Sequence, residues 1–414
     1  MNVHLKAIYT DRKPCVVLGV TGGIAAYKSC ELLRQLQKEG IDVFVVMTEN
    51  ATKFIAPLTF ETLSGHPVAV DTFIRPVTWE VEHIALAKRA DLFLIVPATA
   101  NMLAKMAYGI ADDMLSTTVL ATKAPVLVAP AMNAGMYTNA ATQDNLNTLR
   151  KRGIHIVEPE SGTLACGDAG IGRLADISVI KELAMALLTS DKDLDGIRIA
   201  VTAGPTQEAI DPVRYITNRS SGKMGYAIAR AAYQRGAQVT LLSGPVALRA
   251  PYGIDCIRIN TTEDLCKAML DVSASQDVII QAAAPADFKM KNPEKQKIKK
   301  DGSGQLKLEL TENTDIAATI GKIKTSKQIL IGFAAETNKV TENAAQKLRS
   351  KNLDLIVAND VTQEGAGFDG DTNIVTFISE SESTSYPLQS KEDVANHILD
   401  WVAKQLRAKI NTNS

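Results

Sequence analysis

Short continuous apolar runs alternate along the chain with longer stretches in which apolar residues recur every three or four positions. The short runs are typical of strands in a parallel sheet covered on both faces, and the longer stretches are typical of the covering helices. In the first half, this pattern predicts a helix at 24–38 and strands at 15–20, 43–47, 91–97 and 125–130. The first half is therefore predicted to be an α/β fold with a parallel sheet.

The same order begins again in the second half. Apolar runs there predict helices and strands, with helices at 223–235 and 394–406, strands at 199–202, 239–242, 277–284, 329–333 and 353–358, and a sheet that continues to about 377. A predicted helix at 181–188 closes the first half, and the polar residues 189–196 after it mark a domain boundary. The 414 residues also exceed what one hydrophobic core usually fills. We therefore predict two doubly wound Rossmann-like domains in tandem, at 1–190 and 191–414.

Composition limits the partners and the compartment. The chain has 45 basic and 46 acidic residues, so no general electrostatic attraction to nucleic acid or to an anionic membrane is expected. The five cysteines are an odd number without Cys-x-x-Cys spacing, which argues against a disulfide framework and a structural zinc site. The N-terminal residues have no signal-peptide core and no apolar run approaches membrane-spanning length, so a cytoplasmic protein is expected.

Small and polar residues follow the predicted strands of the first half, where an open parallel sheet binds its ligands. Gly22 and Gly23 follow the first strand, but glycines at 19, 22 and 23 do not form the dinucleotide fingerprint. A glycine turn before a helix still offers N–H groups to a phosphate, and a purely geometric role for the turn has equal weight. Together with Thr48, residues 98–101 and 131–133 are predicted to line one cleft that suits a flavin.

Three residues of the first half carry candidate chemistry. His83 lies near the start of a short predicted helix, Asn133 follows a strand directly, and Cys166 lies in a glycine-rich loop. Taken singly, the histidine is more often a surface or capping residue and the asparagine a turn former. The glycine-rich loop is equally consistent with a mobile flap that carries a thiol.

Taken together, these segments resemble the flavin-dependent cysteine decarboxylases, and most closely the phosphopantothenoylcysteine decarboxylase family. The resemblance spans about residues 14–185 and is carried, in the family's order, by TGGIAAYKS, EHIALAKRADL, PATANMLAKMAYGIADDMLS, PAMNAGMYTN and LACGDAGIGRL. The PAMN and ACGD motifs are specific. One departure is Arg89, which stands where the family often has Trp.

The resemblance implies a flavodoxin-like flavoprotein domain and a redox-neutral decarboxylation. FMN would oxidise the cysteinyl thiol to a thioaldehyde, loss of CO2 would leave an enethiolate, and the reduced flavin would return the electrons. It also implies that His83 takes part in oxidative decarboxylation, that Asn133 holds the carboxylate, and that Cys166 donates a proton. A thiol of ordinary pKa is mostly protonated at neutral pH and can serve as that acid. The implied FMN-binding residues are Gly22, Gly23, Ile24, Thr48, Ala98, Thr99, Asn101 and Met132.

In the second half, residues 220–225 (SSGKMG) invite comparison with a P-loop but do not match it, because Met224 replaces the Ser or Thr. The helix N-terminus that follows still favours an anion, and Ser221 is expected to cap it. A dense run of lysines comes later, at 289, 291, 295, 297, 299 and 300. Such a run is usually a solvated loop, and a flexible clamp on phosphates is the alternative. The nearby Asp287 is a candidate for contact with Mg²⁺ or a base edge.

This half is similar to the phosphopantothenate–cysteine ligases over about residues 195–405, in AGPTQEAIDPVRYITNRSSGKMG, AAAPADF, KIKK and GFAAETN. The similarity implies that the substrate carboxylate attacks CTP, giving an acyl-cytidylate and pyrophosphate, and that the cysteine amine then displaces CMP. Asn218 would act on the acyl-cytidylate, and Lys297 would assist the reaction with cysteine. Pro285 departs from the Val common at its place. The implied CTP-binding residues are Gln281, Ala282, Ala283, Asp287, Lys297, Thr314, Asp315, Ile316, Ala317, Phe333, Lys347 and Lys351.

The leading hypothesis is a bifunctional enzyme that makes 4′-phosphopantetheine from 4′-phosphopantothenate, cysteine and CTP, with FMN and Mg²⁺. The resemblance also implies a homo-oligomer with trimeric contacts in the flavin half and dimeric contacts in the ligase half. Nucleic acid and membrane are not expected partners. Two rivals are a flavoprotein regulatory subunit fused to an inactive nucleotide-binding module, and an NAD-dependent dehydrogenase. The second rival lacks its glycine fingerprint at both turns.

Overall fold

The computed structural model describes residues 12–73, 81–163, 169–189, 192–299, 305–336, 340–360, 367 and 370–412. The chain divides into two compact units, Met1–Ser190 and Asp191–Ser414. Each unit is an α/β structure with its own sheet. In the described part of the chain, no helix combines the length and apolar composition needed to cross a bilayer.

The first unit begins with a fully buried apolar strand and then alternates helices with strands. Its strands are β1 (Cys15–Val20), β2 (Asp42–Met47), β3 (Leu92–Ala98), β4 (Val126–Pro130), β5 (His155–Ile156), β6 (Glu160–Thr163) and β7 (Ala169–Arg173). Its helices are α1 (Lys28–Lys38), α2 (Glu49–Thr52), α3 (Pro57–Ser64), α4 (Glu82–Arg89), α5 (Ala100–Tyr108), α6 (Met114–Ala121), α7 (Ala134–Thr138), α8 (Ala140–Lys151) and α9 (Ile177–Leu188). A 3₁₀ turn, Ile24–Tyr27, precedes α1.

The main sheet of this unit is parallel and has the strand order β2-β1-β3-β4-β5. This order is that of flavodoxin-like folds. Because β1, β3 and β4 are buried along their whole length, they are continuous apolar runs with no alternation. The strands β6 and β7 form a separate antiparallel hairpin after the sheet.

The second unit repeats the α/β order with a larger sheet. Its strands are β8 (Arg198–Ala203), β9 (Gln207–Ala209), β10 (Tyr215–Thr217), β11 (Gln238–Ser243), β12 (Asp255–Arg258), β13 (Val278–Gln281), β14 (Phe288–Met290), β15 (Leu310–Glu312), β16 (Ile329–Glu336), β17 (Leu355–Asp360), β18 (Thr372–Ile378) and β19 (Ser383–Ser390). Its helices are α10 (Lys223–Gln234), α11 (Thr262–Ser273), α12 (Ile316–Ile323), α13 (Val340–Ser350) and α14 (Lys391–Thr412).

The large sheet of this unit has the order β12-β11-β8-β13-β16-β17-β18-β19. Neighbouring strands run parallel from β12 to β17, and the last two are antiparallel. Apolar side chains cover both faces, since one buried cluster includes Tyr226 and Leu399 and another includes Met269 and Leu348. Two short hairpins, β9–β10 and β14–β15, stand outside the sheet.

The predicted fold class is confirmed: the chain holds two parallel-sheet α/β units in tandem. The apolar runs located the main strands, with ends that differ by a few residues. The pattern did not predict the three hairpins β6–β7, β9–β10 and β14–β15. Their strands are short and mostly polar, so no apolar alternation marks them.

Candidate active sites

In the first unit, the predicted flavin residues lie at one edge of the parallel sheet. Gly22, Gly23 and Ile24 follow β1, Thr48 follows β2, Ala98 ends β3 and Thr99 follows it, and Met132 follows β4. Since these strands are parallel, their carboxyl ends meet at the same edge. Asn101 lies in the first turn of α5, which begins at that edge.

Backbone and hydroxyl hydrogen bonds join the loops after β1 and β3. The Thr21 hydroxyl donates to the carbonyl of Pro97 at 2.7 Å and accepts from the N–H of Thr99 at 3.0 Å. The Thr48 N–H donates to the carbonyl of Val20 at 3.1 Å. These bonds fix a row of small, uncharged residues around the point where the strand order reverses.

That reversal, between β1 and β3, is the topological switch point of the sheet. Flavodoxin-like folds of this strand order hold FMN at the switch point. A Cβ added to Gly23 would meet no atom closer than 4.0 Å, so the turn leaves room beside its backbone. The residues at this edge therefore fit a flat, largely uncharged ring together with a phosphate at the glycine turn.

The hairpin β6–β7 packs directly against the loop that precedes Asn133. The N–H of Met132 donates to the carbonyl of Gly172 at 2.9 Å. Gly172 has φ +144°, and a Cβ added there would lie 2.3 Å from the carbonyl oxygen of Met132. Only glycine permits this approach. The base of the segment that carries Cys166 is thus joined to the loop that carries Asn133.

The three predicted catalytic residues of this unit differ in how far the structure describes them. Asn133 is the N-cap of α7, where its side chain accepts a hydrogen bond from the N–H of Gly135 at 2.8 Å. His83 is half-buried in the first turn of α4. The end of α4 leads into the start of β3, at the amino edge of the sheet. The start of α4, with His83, therefore lies toward the carboxyl edge. Cys166 lies outside the described residues.

The second unit contains a cavity of about 630 Å³. Its walls come from the carboxyl ends of β13 and β16, the start of α10, the start of α12 and the end of α13. All the predicted CTP residues except Lys297 line it, and so does Asn218. The residues that line it and were predicted are Asn218, Gln281, Ala282, Ala283, Asp287, Thr314, Asp315, Ile316, Ala317, Phe333, Lys347 and Lys351.

Asn218 is tied to the turn that leads to Asp287. Its side-chain amide donates to the carbonyl of Pro285 at 2.8 Å. The N–H of Ala284 donates to the carbonyl of Gly204, and the N–H of Ala286 donates to the hydroxyl of Thr206, both at 2.9 Å. These bonds use the carbonyl of residue 285 and the N–H groups on either side of it. A proline, which has no N–H, is therefore accommodated in this turn.

Two further contacts define the polar character of the cavity. The Lys351 ammonium lies 3.0 Å from the Asp315 carboxylate. Burial opposes ionisation of Asp315, but hydrogen bonds from the N–H of Ala318 and from Lys351 outweigh it and lower the pKa of Asp315. The side-chain nitrogen of Gln281 is buried and has no hydrogen-bond partner among the described residues. A buried donor without a partner is costly, so this nitrogen is suited to an acceptor on a bound ligand.

The segment 220–225 also lines the cavity, at the start of α10. The expectation that Ser221 caps this helix is wrong: the N-cap is Gly222, and no side chain caps the helix. Lys223 forms an ion pair with Asp371 at 2.7 Å. Its hydrogen bond and charge lower the pKa of Asp371.

Several residues of the cavity wall were not found from the sequence. They are Asn313, Asn359, Asn373 and Lys391. Lys391 is buried at the start of α14 and donates to the carbonyl of Gly370 at 2.5 Å. Asn373 and Lys391 lie in segments without a recognised motif, whereas Asn313 directly precedes the predicted residues 314–317 and Asn359 directly follows the predicted strand 353–358.

Lys297 does not line the cavity. It lies in an exposed stretch of coil, together with Lys295 and Lys299. Lys291 instead forms an ion pair with Glu309 at 2.6 Å. Lys300 lies outside the described residues.

No group of three or more His, Cys, Asp or Glu side chains is arranged to hold a metal ion in the described ranges. The carboxylates at the cavity wall are Asp287, Glu312 and Asp315, of which Asp315 is already paired with Lys351. Mg²⁺ in nucleotide sites is held by one or two carboxylates together with the phosphates. This wall fits a metal that arrives with the nucleotide.

Comparison with known proteins gives matches to both units. Residues 194–406 match the family described as DNA/pantothenate metabolism flavoprotein C-terminal domain, and residues 5–189 match the family described as Flavoprotein. The coenzyme A biosynthesis bifunctional protein CoaBC of Bacillus subtilis is 48% identical over 392 residues, covering 94% of this chain and 96% of that protein. The CoaBC protein of Escherichia coli K12 is 45% identical over 397 residues, covering 95% and 98%. A crystal structure of the C-terminal domain of CoaBC is 42% identical and covers 53% of this chain and 100% of its own, with a TM-score of 0.46.

Proposed function

The chain belongs to the family of coenzyme A biosynthesis bifunctional proteins, and on this basis we propose that its two units catalyse consecutive steps. The second unit joins cysteine to 4′-phosphopantothenate at the expense of CTP. The first unit removes CO2 from the resulting 4′-phosphopantothenoylcysteine and yields 4′-phosphopantetheine. We assign the ligase to 191–414 and the FMN-dependent decarboxylase to 1–190.

The cavity in the second unit carries the ligase proposal. In the first step, a carboxylate oxygen of 4′-phosphopantothenate attacks the α-phosphorus of CTP, a P–O bond breaks and pyrophosphate leaves. In the second step, the cysteine nitrogen attacks the acyl carbon, and the C–O bond to phosphate breaks. CMP leaves with that electron pair, and the amine gives up a proton. Both steps develop negative charge on phosphate oxygens, which cationic side chains and amide donors stabilise.

The roles of the lining residues follow from their chemistry. Lys347 and Lys351, at one end of the cavity, supply positive charge for the triphosphate. The unpartnered nitrogen of Gln281 offers a hydrogen bond to the nucleotide. Asn218 is held against the turn before Asp287, so its amide oxygen and remaining N–H are oriented for the acyl-phosphate. Lys297, which lies outside the cavity wall, assists the attack by cysteine.

The switch-point edge carries the decarboxylase proposal. The residues that hold FMN are Gly22, Gly23, Ile24, Thr48, Ala98, Thr99, Asn101 and Met132. When bound, FMN supplies the two-electron oxidation that gives the substrate an electron sink and returns those electrons at the end. Asn133 holds the departing carboxylate, His83 takes part in the decarboxylation, and Cys166 gives its thiol proton to carbon. The thiol is regenerated by a proton from solvent.

Two further features complete the proposal. Mg²⁺ enters with CTP, held chiefly by phosphate oxygens. Large apolar side chains are exposed on both units, as expected for surfaces that second copies cover in a homo-oligomer. They include Ile24, Tyr27, Phe54 and Leu58 in the first unit, and Val213, Tyr215, Phe288 and Leu310 in the second. We further propose a cytoplasmic location, because Cys15, Cys30, Cys256 and Cys266 are free thiols.

One experiment tests both activities. The purified protein is loaded with FMN and given 4′-phosphopantothenate, cysteine, Mg²⁺ and either CTP or ATP. We expect a yellow protein that releases pyrophosphate, CMP and CO2 in equal amounts with CTP. Without cysteine, pyrophosphate release should stop after about one turnover per site, because the acyl-cytidylate then has no acceptor.

The possible failures are distinguishable. Protein that binds FMN but releases neither pyrophosphate nor CO2 would instead support a regulatory flavoprotein. Equal turnover with ATP would contradict the choice of CTP but not the ligase chemistry. Protein that binds no FMN and forms no pyrophosphate would contradict the whole proposal.

A further inference from the structure

The motif IDPVR, at 210–214, lies in the turn between β9 and β10 and has no part in the proposed chemistry. Within this turn, Asp211 accepts hydrogen bonds from the N–H groups of Val213 and Arg214, at 2.8 and 2.9 Å. Its second oxygen accepts two hydrogen bonds from the Arg214 guanidinium, at 3.0 and 2.5 Å. The pair therefore closes the turn and fixes the orientation of both side chains.

The same two side chains hold the backbone of the lysine run. The N–H of Ile298 donates to Asp211 Oδ2 at 3.1 Å, and Arg214 Nη2 donates to the carbonyl of Ile298 at 2.9 Å. Both polar groups of one peptide residue are thus held by one ion pair. A further bond runs from the N–H of Glu294 to the carbonyl of Ile210 at 3.0 Å.

Ile298 is the residue directly after Lys297. Consecutive Cα atoms are about 3.8 Å apart, so a fixed Ile298 backbone limits where the Lys297 side chain begins. The Asp211 side chain is fully buried, with 0% of its surface exposed, while Arg214 is 41% exposed. A buried carboxylate that meets several donors is rigid, whereas the rest of the lysine run is exposed coil.

Charge reinforces this arrangement. The Arg214 guanidinium holds the pKa of Asp211 well below its usual range, and backbone N–H groups, including that of Ile298, act in the same direction against burial. Asp211 therefore stays ionised throughout the neutral range and remains an acceptor for the lysine run.

We propose that Asp211, together with Arg214, is a positioning residue that holds Lys297 for the attack of cysteine on the acyl-cytidylate. This proposal rests on the proposed ligase function. It explains why a lysine that does not line the nucleotide cavity is nevertheless held by a rigid support. It also gives IDPVR a role in the second half-reaction, separate from CTP binding.

The test compares the two half-reactions in the full-length protein. The first-turnover burst of pyrophosphate from CTP and 4′-phosphopantothenate, measured without cysteine, reports the first, and cysteine-dependent CMP release reports the second. In D211N, the amide nitrogen replaces either Oδ2, which Ile298 and the Arg214 guanidinium share, or Oδ1, which accepts from the N–H groups of Val213 and Arg214. In both cases the negative charge that holds Arg214 is lost. We expect cysteine-dependent CMP release to fall about 10- to 100-fold, as a misplacement near 1 Å does, with pyrophosphate release changed less than about twofold.

Coupling to Lys297 separates positioning from general stability. If Asp211 acts through Lys297, then D211N adds nothing once K297Q is present, and the double variant matches K297Q. Independent, multiplying effects of D211N and K297Q would overturn the proposal. A loss of pyrophosphate release equal to the loss of CMP release would also overturn it.

A matched control comes from another Asp–Arg pair of this unit. Asp277 accepts hydrogen bonds from the N–H and guanidinium of Arg198, at 2.8 to 3.1 Å, without touching the lysine run. D277N removes a similar ion pair, and we expect CMP release to change in proportion to pyrophosphate release.

Limited trypsin digestion gives a readout that needs no turnover. The Lys297–Ile298 bond should be cut about tenfold faster in D211N and at the wild-type rate in D277N, as expected when a held loop opens locally.

This digestion also keeps the two proposals separable. If the wild-type protein forms no pyrophosphate, the proposed ligase function is wrong. Faster cleavage in D211N would still show that Asp211 holds the backbone of Ile298. Unchanged cleavage in D211N would contradict that support whatever the enzyme does.

Discussion

Arg89 stands where the decarboxylase pattern often has Trp, and its surroundings explain how it is accommodated. Its guanidinium carbon lies 4.5 Å from the centre of the Phe44 ring. On the same ring, His66 is stacked with 4.0 Å between centroids. A flat guanidinium binds an aromatic face as another ring does, so a stack survives the change. The departure is local to the helix and leaves the switch-point edge untouched.

Tyr137 is a residue of the first unit whose titration should affect stability at high pH. Its hydroxyl donates to Glu158 at 2.6 Å, and its N–H donates to the carbonyl of Asn133. Burial, and then the hydrogen bond to Glu158, raises the pKa of Tyr137 to about 12. The ordinary pKa of tyrosine is about 10. Because the pKa of Tyr137 is higher in the folded state, folding favours the protonated hydroxyl. The contribution of this hydroxyl to stability is therefore complete below pH 10 and is lost as the pH rises to about 12.

We therefore expect Y137F to lower the free energy of unfolding by about 1 kcal/mol at pH 8, with a smaller difference above pH 10. Denaturant unfolding at several pH values measures this difference. An absorbance titration at high pH should lose one tyrosinate component near pH 12 in Y137F. Loss of a component near pH 10 instead would show that the hydroxyl is not held as described.

Elements of the two sheets were predictable because a buried parallel strand must be apolar along its whole length. The runs at β1, β3 and β4 show this directly. The hairpin β14–β15 was not predictable, because its two strands are three residues each and are separated by a long polar segment. The hydrogen bond from Ile298 to Asp211 was also not predictable, because it joins residues that are 87 positions apart in the sequence. Motifs located residues on several walls of the cavity, but only the fold brings Lys391 to it.

The contact between α12 and the end of α13 holds two walls of the nucleotide cavity together. A Cβ added to Gly321 would lie 1.9 Å from the carbonyl oxygen of Lys351. The Asn352 side chain donates to the carbonyl of Gly321 at 2.7 Å. The same two helices bring Asp315 and Lys351 together. A side chain at 321 must therefore push α12 away from Lys351, one of the two lysines proposed to bind the triphosphate.

We expect G321A to destabilise the protein, although alanine in an open helix would stabilise it by about 1 kcal/mol relative to glycine. Overpacking should lower the free energy of unfolding by about 1–3 kcal/mol. The KM for CTP should rise about tenfold, equivalent to about 1.4 kcal/mol. K322A, at an exposed position of the same helix, is the control and should leave both quantities near wild type. A stabilised G321A with unchanged KM would contradict this account.

At the scale of the whole molecule, each unit has a sheet and core of its own. The segment after the boundary belongs to the second unit: Leu194 is buried in its core, and Asp193 pairs with Arg235 at 2.5 Å. Arg235 is only 2% exposed and also pairs with Asp400 at 2.8 Å. Removing one partner of such a buried pair costs about 3–5 kcal/mol, so this segment is firmly held. The second unit thus begins with its own packed residues soon after 191.

Separate cores predict that the two activities can be lost one at a time. C166S should stop the decarboxylase while leaving CTP-dependent pyrophosphate release intact. K297Q should slow cysteine-dependent CMP release while leaving the decarboxylation of added 4′-phosphopantothenoylcysteine intact. The ligase product is a small phosphorylated molecule that can leave one protein and enter another. A mixture of the two variants should therefore make 4′-phosphopantetheine, although neither variant alone does so efficiently.

An equal mixture at the same total protein concentration contains half as many intact ligase sites and half as many intact decarboxylase sites as the wild type. It should therefore reach about half of the wild-type rate, if the effects of the two substitutions stay independent. The measurement is CO2 release from 4′-phosphopantothenate, cysteine and CTP, with each variant alone at the same total concentration as the control. When the double variant C166S/K297Q is mixed with wild type, the rate of CO2 release should be only that of the wild-type protein present. If the mixture of single variants releases no more CO2 than either alone, the intermediate does not exchange through solution. The order of the units along the chain, decarboxylase before ligase, would then need an explanation other than two independent catalysts.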